Sequence, residues 1–144
     1  MGDDWPSVGG VYVLLLELYE AQSLCIGSLG QVTLAAGCYA YVGSAHGPGG
    51  LRQRLARHLR KEKQIHWHID YLIACATVSG IYWQATSERL ECRWVQALQR
   101  LPGATVPCLG FGSSDCRNGC RSHLIRLPES VSESGLQQVL REPL

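Results

Sequence analysis

Gly10-Val11-Tyr12-Val13-Leu14-Leu15-Leu16-Glu17-Leu18 is a nearly unbroken apolar run, and the architecture of the chain follows from it. A β-strand with one solvated face alternates polar and apolar residues. This run does not, so it reads as a central strand covered on both faces. It is too short to span a bilayer. Asp3 and Asp4 before it, and Glu17 within it, do not fit the basic start and apolar core of a secretory leader. A strand buried on both faces needs strand neighbours beside it and helices above and below.

The flanking sequence supplies both. Residues 23–27 and 31–34 surround Ser28-Leu29-Gly30 and read as a hairpin. Residues 38–44 read as the next strand, with Tyr39 and Tyr41 on one face and Ala40 and Val42 on the other. The loop Gly43-Ser44-Ala45-His46-Gly47-Pro48-Gly49-Gly50 must turn sharply and can expose backbone N–H groups. A helix over about residues 50–61 follows, with Leu51, Leu55 and Leu59 as its buried stripe. At 100° per residue His58 lies beside that stripe, Arg54 and Lys61 lie a little further round, and Arg57 and Arg60 point outward. A short helix is expected over residues 66–73 and a strand over 77–85. Thr86 or Ser87 can cap a further helix reaching about Arg100, with Leu90, Trp94, Ala97 and Leu98 buried. Residues 123–127 read as a last strand. Ser130 and Glu133 have capping-box spacing for a short C-terminal helix over about residues 130–141. The expectation is one α/β domain of 144 residues with its core at about residues 10–127: a small central mixed sheet, helices on its faces and an inserted hairpin.

A hydrophobic content of 46% with 17% charged residues describes a globular chain. The net charge of +1 is uninformative, but its distribution is not. Arg52, Arg54, Arg57, Arg60, Lys61 and Lys63 crowd into one segment with a single acid, Glu62, which suits a polyanion or a solvated helix face. No segment reads as membrane-spanning or as a targeting signal, so a cytoplasmic location is expected. The seven cysteines are then expected as thiols or metal ligands rather than disulfides.

The order of these features resembles the GIY-YIG nuclease superfamily and, within it, the small Uri-type endonuclease group. Gly10-Val11-Tyr12 stands for the first motif and Tyr41-Val42-Gly43 for the second, and the basic helix follows at once. The longer interval between the motifs fits the hairpin, as that group implies. The resemblance implies a metal-dependent endonuclease hydrolysing phosphodiester bonds in DNA, with repair as a setting. Residue by residue, it implies Tyr12 as general base and Tyr41 orienting water or phosphate. Arg54 would grip the phosphate with its planar fork, and His58 would shuttle a proton or hold the phosphate. A tyrosine needs a neighbouring cation to lower its pKa for the first role. The resemblance also implies a carboxylate for Mg²⁺ or Mn²⁺ on the helix after the third main strand. Of the two candidates, Glu91 lies at the border of the apolar stripe, while Glu88 lies off it as cap support. Ser44, Gly49, Gly50, Arg52, Arg57, Lys61, His66 and His68 complete the expected nucleic-acid contacts. His66 and Asp70 stand at i,i+4, a pairing that serves helix packing as readily as a ligand. Ser44 occupies a position where many relatives carry lysine.

Cys116-x₃-Cys120-x₂-His123, with Cys108 upstream, offers a Cys₃His set of the kind that holds zinc, although the spacing is not that of the usual C-x₂-C knuckles. Buried reduced cysteines explain the same residues. Two alternatives to the nuclease therefore stand: a nucleic-acid-binding module without catalysis, and a zinc-stabilised interaction domain.

Overall fold

The computed structural model describes residues 5–60, 64–112, 120–129 and 131–141, with nothing stated of the side chains at 133 and 141. Its central element is β1 (Gly10–Leu18), buried at every position but Glu17. The chain turns into a separate two-stranded hairpin, β2 (Gln22–Ile26) and β3 (Gly30–Leu34), closed by a 3₁₀ turn at Gly27–Leu29. It then returns as β4 (Gly37–Ser44), continues through α1 (Gly50–Leu59) and α2 (His68–Ile73), and re-enters the sheet as β5 (Thr77–Ala85). α3 (Glu91–Gln99), β6 (Leu124–Arg126) and α4 (Glu133–Arg141) complete the order.

The main sheet has the order β5-β1-β4-β6. It was expected to be mixed, but all three of its pairings are antiparallel. β4 and β5 do run parallel, joined by the crossover through α1 and α2 that parallel strands require. β1 lies between them, so they form no ladder with each other.

The alternation of side chains along β1 sorts the core into two layers. Tyr12, Leu14, Leu16 and Leu18 pack with Tyr39 and Tyr41, with Leu51 and Leu55 of α1, with Ile69 and Leu72 of α2, and with Ile26 and Leu34 of the hairpin. Val11, Val13 and Leu15 pack on the other side with Ala40 and Val42, with Trp94, Val95 and Leu98 of α3, and with Leu136 and Leu140 of α4. Fully burying one such large apolar side chain contributes roughly 1.5–3 kcal/mol. This is why an alternating sequence would not have served in β1.

Several boundaries differ from the sequence reading. α3 begins at Glu91 rather than at Thr86 or Ser87, because Thr86 Oγ1 accepts the Glu88 N–H at 3.0 Å and closes a local turn instead of a helix cap. Glu88 therefore precedes the helix and does not support its cap. α4 is capped by Ser132, whose Oγ accepts the Gly135 N–H at 3.1 Å. The expected pair of Ser130 with the Glu133 side chain lies outside the described residues. α1 stops at Leu59, where Arg60 is already extended. Lys61 and Lys63 lie outside the described residues.

Candidate functional site

Tyr12 and Gly43 are direct partners across the β1–β4 ladder. A β-carbon added at Gly43 would come within 2.5 Å of the Tyr12 hydroxyl oxygen and ring, so the glycine makes the space in which the phenol lies. Leu51 and Leu55 seat α1 over this face of the sheet and bring His58 down onto it. The Tyr12 hydroxyl and His58 Nε2 lie 2.7 Å apart and share a buried hydrogen bond. Tyr41 meets the same imidazole edge-on at 6.4 Å between ring centres, and Trp67 packs on it at 5.7 Å. His58 was expected at the edge of the core; at 1% exposure it is inside it.

The sequence expectation for the tyrosine acidity is not met. Burial, reinforced by Tyr41, pushes the Tyr12 hydroxyl well above its ordinary range, and the Arg54 guanidinium beside it pulls down only weakly. Burial likewise pushes Tyr41 up to about 12 against the pull of Arg54. Both phenols are protonated at neutral pH, so Tyr12 is not itself a poised base.

The arginines of α1 divide by task. Arg54 Nη1 donates to the Ser44 carbonyl at 3.2 Å, and its guanidinium lies 4.4 Å from the centre of the Trp67 ring. Ser44 thus meets Arg54 through its carbonyl. Arg57 was expected to point outward; instead its fork grips both oxygens of the fully buried Asp70 at 3.1 and 3.0 Å, and it stacks on Trp67 at 4.1 Å. Asp70 also accepts the backbone N–H groups of His66 and Trp67, each at 2.9 Å. Burial alone would raise the Asp70 pKa, but the Arg57 fork and the two N–H groups outweigh it and hold the carboxyl at about 2. His66 therefore meets Asp70 through its backbone, while its exposed ring packs edge-on against Trp67. Arg52 and Arg60 are exposed.

An open cleft of about 250 Å³ is lined by Gly47, Pro48, Gly50, Gln53, Arg54, Arg57, Arg60 and Trp67. Tyr12, Tyr41 and His58 do not line it. The glycine loop was expected to expose N–H groups to a phosphate; of its own groups, Ala45 donates to the Gly10 carbonyl and Gly50 is engaged at the start of α1. Gly50 donates to Gly47, Leu51 to Val8 and Arg52 to Pro6. Gly49 and Gly50 instead supply positive φ of 83° and 59° at the start of α1. His68 was expected to contact nucleic acid, but its Nδ1 accepts the Gly112 N–H at 2.9 Å and its ring packs on Phe111.

Glu91 opens α3 on the opposite face of the sheet from α1. It is half-buried, and its Oε2 is buried with no hydrogen-bond partner among the described residues. No hydrogen bond or ion pair among these residues joins it to Tyr12, Tyr41 or Arg54. Gly10, Ser44 and Ala85 share one end of the sheet by register, and α1 and α3 both follow from that end.

A second constellation differs from the expected Cys₃His set. Cys92, Cys120 and His123 bring one ligand atom each to within 4.8 Å of one another and could hold a metal ion. Cys108 is not in this group, and its Sγ turns to the Leu109 carbonyl. Cys116 lies outside the described residues. Cys92 escaped the sequence reading because it comes from another element, with no short Cys-x-x-Cys spacing to announce it.

The fold and sites define a small antiparallel α/β domain with a buried Tyr–His pair, an arginine-lined cleft, and a Cys/His cluster at the start of β6, the strand that pairs with β4. The chain belongs to the family described as a domain of unknown function, DUF123, whose model matches residues 11–142. No curated protein and no solved structure matches it significantly. Among the described residues, no helix is long and apolar enough to cross a membrane.

Proposed function

We propose that this chain is a metal-dependent endonuclease of the GIY-YIG type, close to its Uri group, that hydrolyses phosphodiester bonds in DNA. One observation carries the reading: the two motif tyrosines, Tyr12 and Tyr41, converge on His58, with Arg54 beside the Tyr12 phenol. Such a set has a proton path and a cation side by side, the two things a phosphodiester needs most.

The raised pKa of the Tyr12 phenol, together with its hydrogen bond to His58, fits a relay rather than a free base. Tyr12 acts as a relay: as water attacks phosphorus, it passes a proton to the Tyr12 oxygen while the Tyr12 proton moves to His58 Nε2. The bond from phosphorus to the leaving sugar oxygen breaks, and that oxygen takes a proton from solvent. Arg54 holds the non-bridging oxygens, and Arg52 and Arg60 steer the backbone toward the cleft. Trp67 covers His58, so a reacting phosphate requires its displacement.

The buried, unpartnered Oε2 of Glu91 fits a hard cation, since a carboxylate oxygen in that state is costly unless paired or metal-bound. Glu91 would hold Mg²⁺ or Mn²⁺, which when bound relieves charge on the phosphate. A reducing, cytoplasmic setting and a role in repair belong to the same reading. The described cysteines, Cys25, Cys38, Cys75, Cys92, Cys108 and Cys120, are all thiols.

A second reading, a DNA-binding module without catalysis, is favoured by the closure of the Tyr12–His58 pair, which is 1% exposed at both residues and absent from the cleft wall. Incubation of labelled single- and double-stranded DNA with the protein in Mg²⁺, Mn²⁺ or EDTA separates the two. Cutting that EDTA abolishes supports the nuclease, and retention of DNA without cutting in any metal supports the module.

A further inference from the structure

We propose that Cys92, Cys120 and His123 form a zinc site that fastens the first turn of α3 to the segment leading into β6, a role separate from any action on DNA. The three ligand atoms all lie within 4.8 Å of one another although the residues come from two distant parts of the chain. Zinc at about 2.3 Å from each sulfur would need the ligand atoms about 3.8 Å apart, which small side-chain rotations supply.

His123 provides an independent indication. It is 93% buried, taking its 7% exposure, and its Nε2 has no hydrogen-bond partner among the described residues. A buried imidazole nitrogen without a partner carries an uncompensated desolvation cost, which a coordinate bond removes. The residue is also held rigidly. Its N–H donates to the Phe111 carbonyl at 2.8 Å, and its own carbonyl accepts the Val42 N–H at 3.0 Å. The neighbouring Ser122 hydroxyl is buried and tied to Leu124. The imidazole is thus presented from a fixed backbone, as a metal ligand should be.

The donor set selects the ion. Two thiolates and an imidazole are soft-to-borderline ligands that suit zinc and reject Mg²⁺ and Ca²⁺. Cys92 sits in the first turn of α3 and is buried, so its sulfur is shielded from bulk water beside His123. β6 is only three residues long and forms the far edge of the sheet, so a cross-link from α3 to its start would reinforce the weakest strand of the sheet.

Full-length protein prepared with zinc is tested by elemental analysis, and zinc-stripped protein is titrated with Co²⁺, whose thiolate charge-transfer absorption reports sulfur ligation. The expected result is about one zinc per chain and a Co²⁺ spectrum with thiolate bands. The metal should be lost in Cys92→Ser, Cys120→Ser and His123→Ala, kept in Cys108→Ser, and kept in His123→Cys, which retains a zinc-competent ligand. Zinc-free wild-type protein that shows no Co²⁺ charge-transfer band would overturn the proposal. So would zinc that persists in all three loss variants, or a Cys92–Cys120 disulfide in protein purified under reducing conditions. None of these readouts depends on whether the chain cuts DNA.

Discussion

The phenol of Tyr12 and the imidazole of His58 meet at 2.7 Å inside the core, joining the middle strand of the sheet to the basic helix across 46 residues of sequence. The contact is at once a packing element and, in this reading, the route by which Tyr12 gives up a proton. Tyr12→Phe keeps the ring and removes the hydroxyl, leaving His58 Nε2 buried without its tyrosine partner. The expected cost is about 1–3 kcal/mol of stability, read from urea denaturation. A smaller loss would mean that the hydroxyl contributes little to the fold.

Gly43 is predicted to be intolerant of even one carbon. Gly43→Ala drives a methyl group into the Tyr12 ring and should cost about 1–3 kcal/mol. Gly47→Ala, where an added β-carbon meets nothing within 4 Å, should be nearly neutral. Equal midpoints for the two variants in thermal or urea unfolding would contradict the close approach of Tyr12 to Gly43.

Asp70 makes acid stability a test of the Arg57 clamp. The carboxyl titrates at about 2 in the folded chain and near 3.9 when unfolded. A depressed folded value stabilises the protein above the unfolded pKa, and that stabilisation is lost as the pH falls through about 2. Roughly 2 kcal/mol is at stake. Asp70→Asn should therefore unfold more easily than wild type at pH 6, and the gap should narrow in denaturation series carried toward pH 2. A gap that stays constant with pH would place the stabilisation elsewhere.

The buried phenols should be silent in an alkaline titration. Tyr41 titrates at about 12 in the folded chain against about 10 when unfolded, and Tyr12 is raised in the same direction. The fold favours the protonated phenol, so this contribution is full below about pH 10 and fades as the pH rises through about 12. Phenolate absorbance from Tyr12 and Tyr41, compared with Tyr12→Phe and Tyr41→Phe, should appear only when the chain unfolds. Reversible titration of either phenol near pH 10 in folded protein would show that water already reaches the pair.

The sequence carried the fold further than it carried the site. β1, the hairpin, β4, α1 and β5 are visible because each has its own periodicity and its own turn chemistry. The antiparallel sheet was less visible, because the helical crossover from β4 to β5 suggests parallel neighbours and only the tertiary order shows β1 between them. Tyr12, Tyr41, Arg54 and His58 could be named from their motifs, and they do gather. Burial, which sets the acidity of the tyrosines, has no local sequence signal. Arg57 read as solvent-facing because its partner Asp70 is on another helix, and Cys92 was missed because its companions lie well beyond the end of α3, just before β6. Thr86 misled by serving a turn with the same hydroxyl chemistry that caps a helix.

The most direct test of the nuclease reading is nicking of labelled DNA in Mg²⁺ or Mn²⁺ by wild type, Tyr12→Phe, His58→Ala and Glu91→Ala, each first shown to be folded at the assay temperature. The account predicts metal-dependent cutting by wild type and a loss of at least about 100-fold in each variant, the scale on which general acid–base groups act. Wild type that binds DNA but never cuts it, or Tyr12→Phe that cuts as well as wild type, would contradict it.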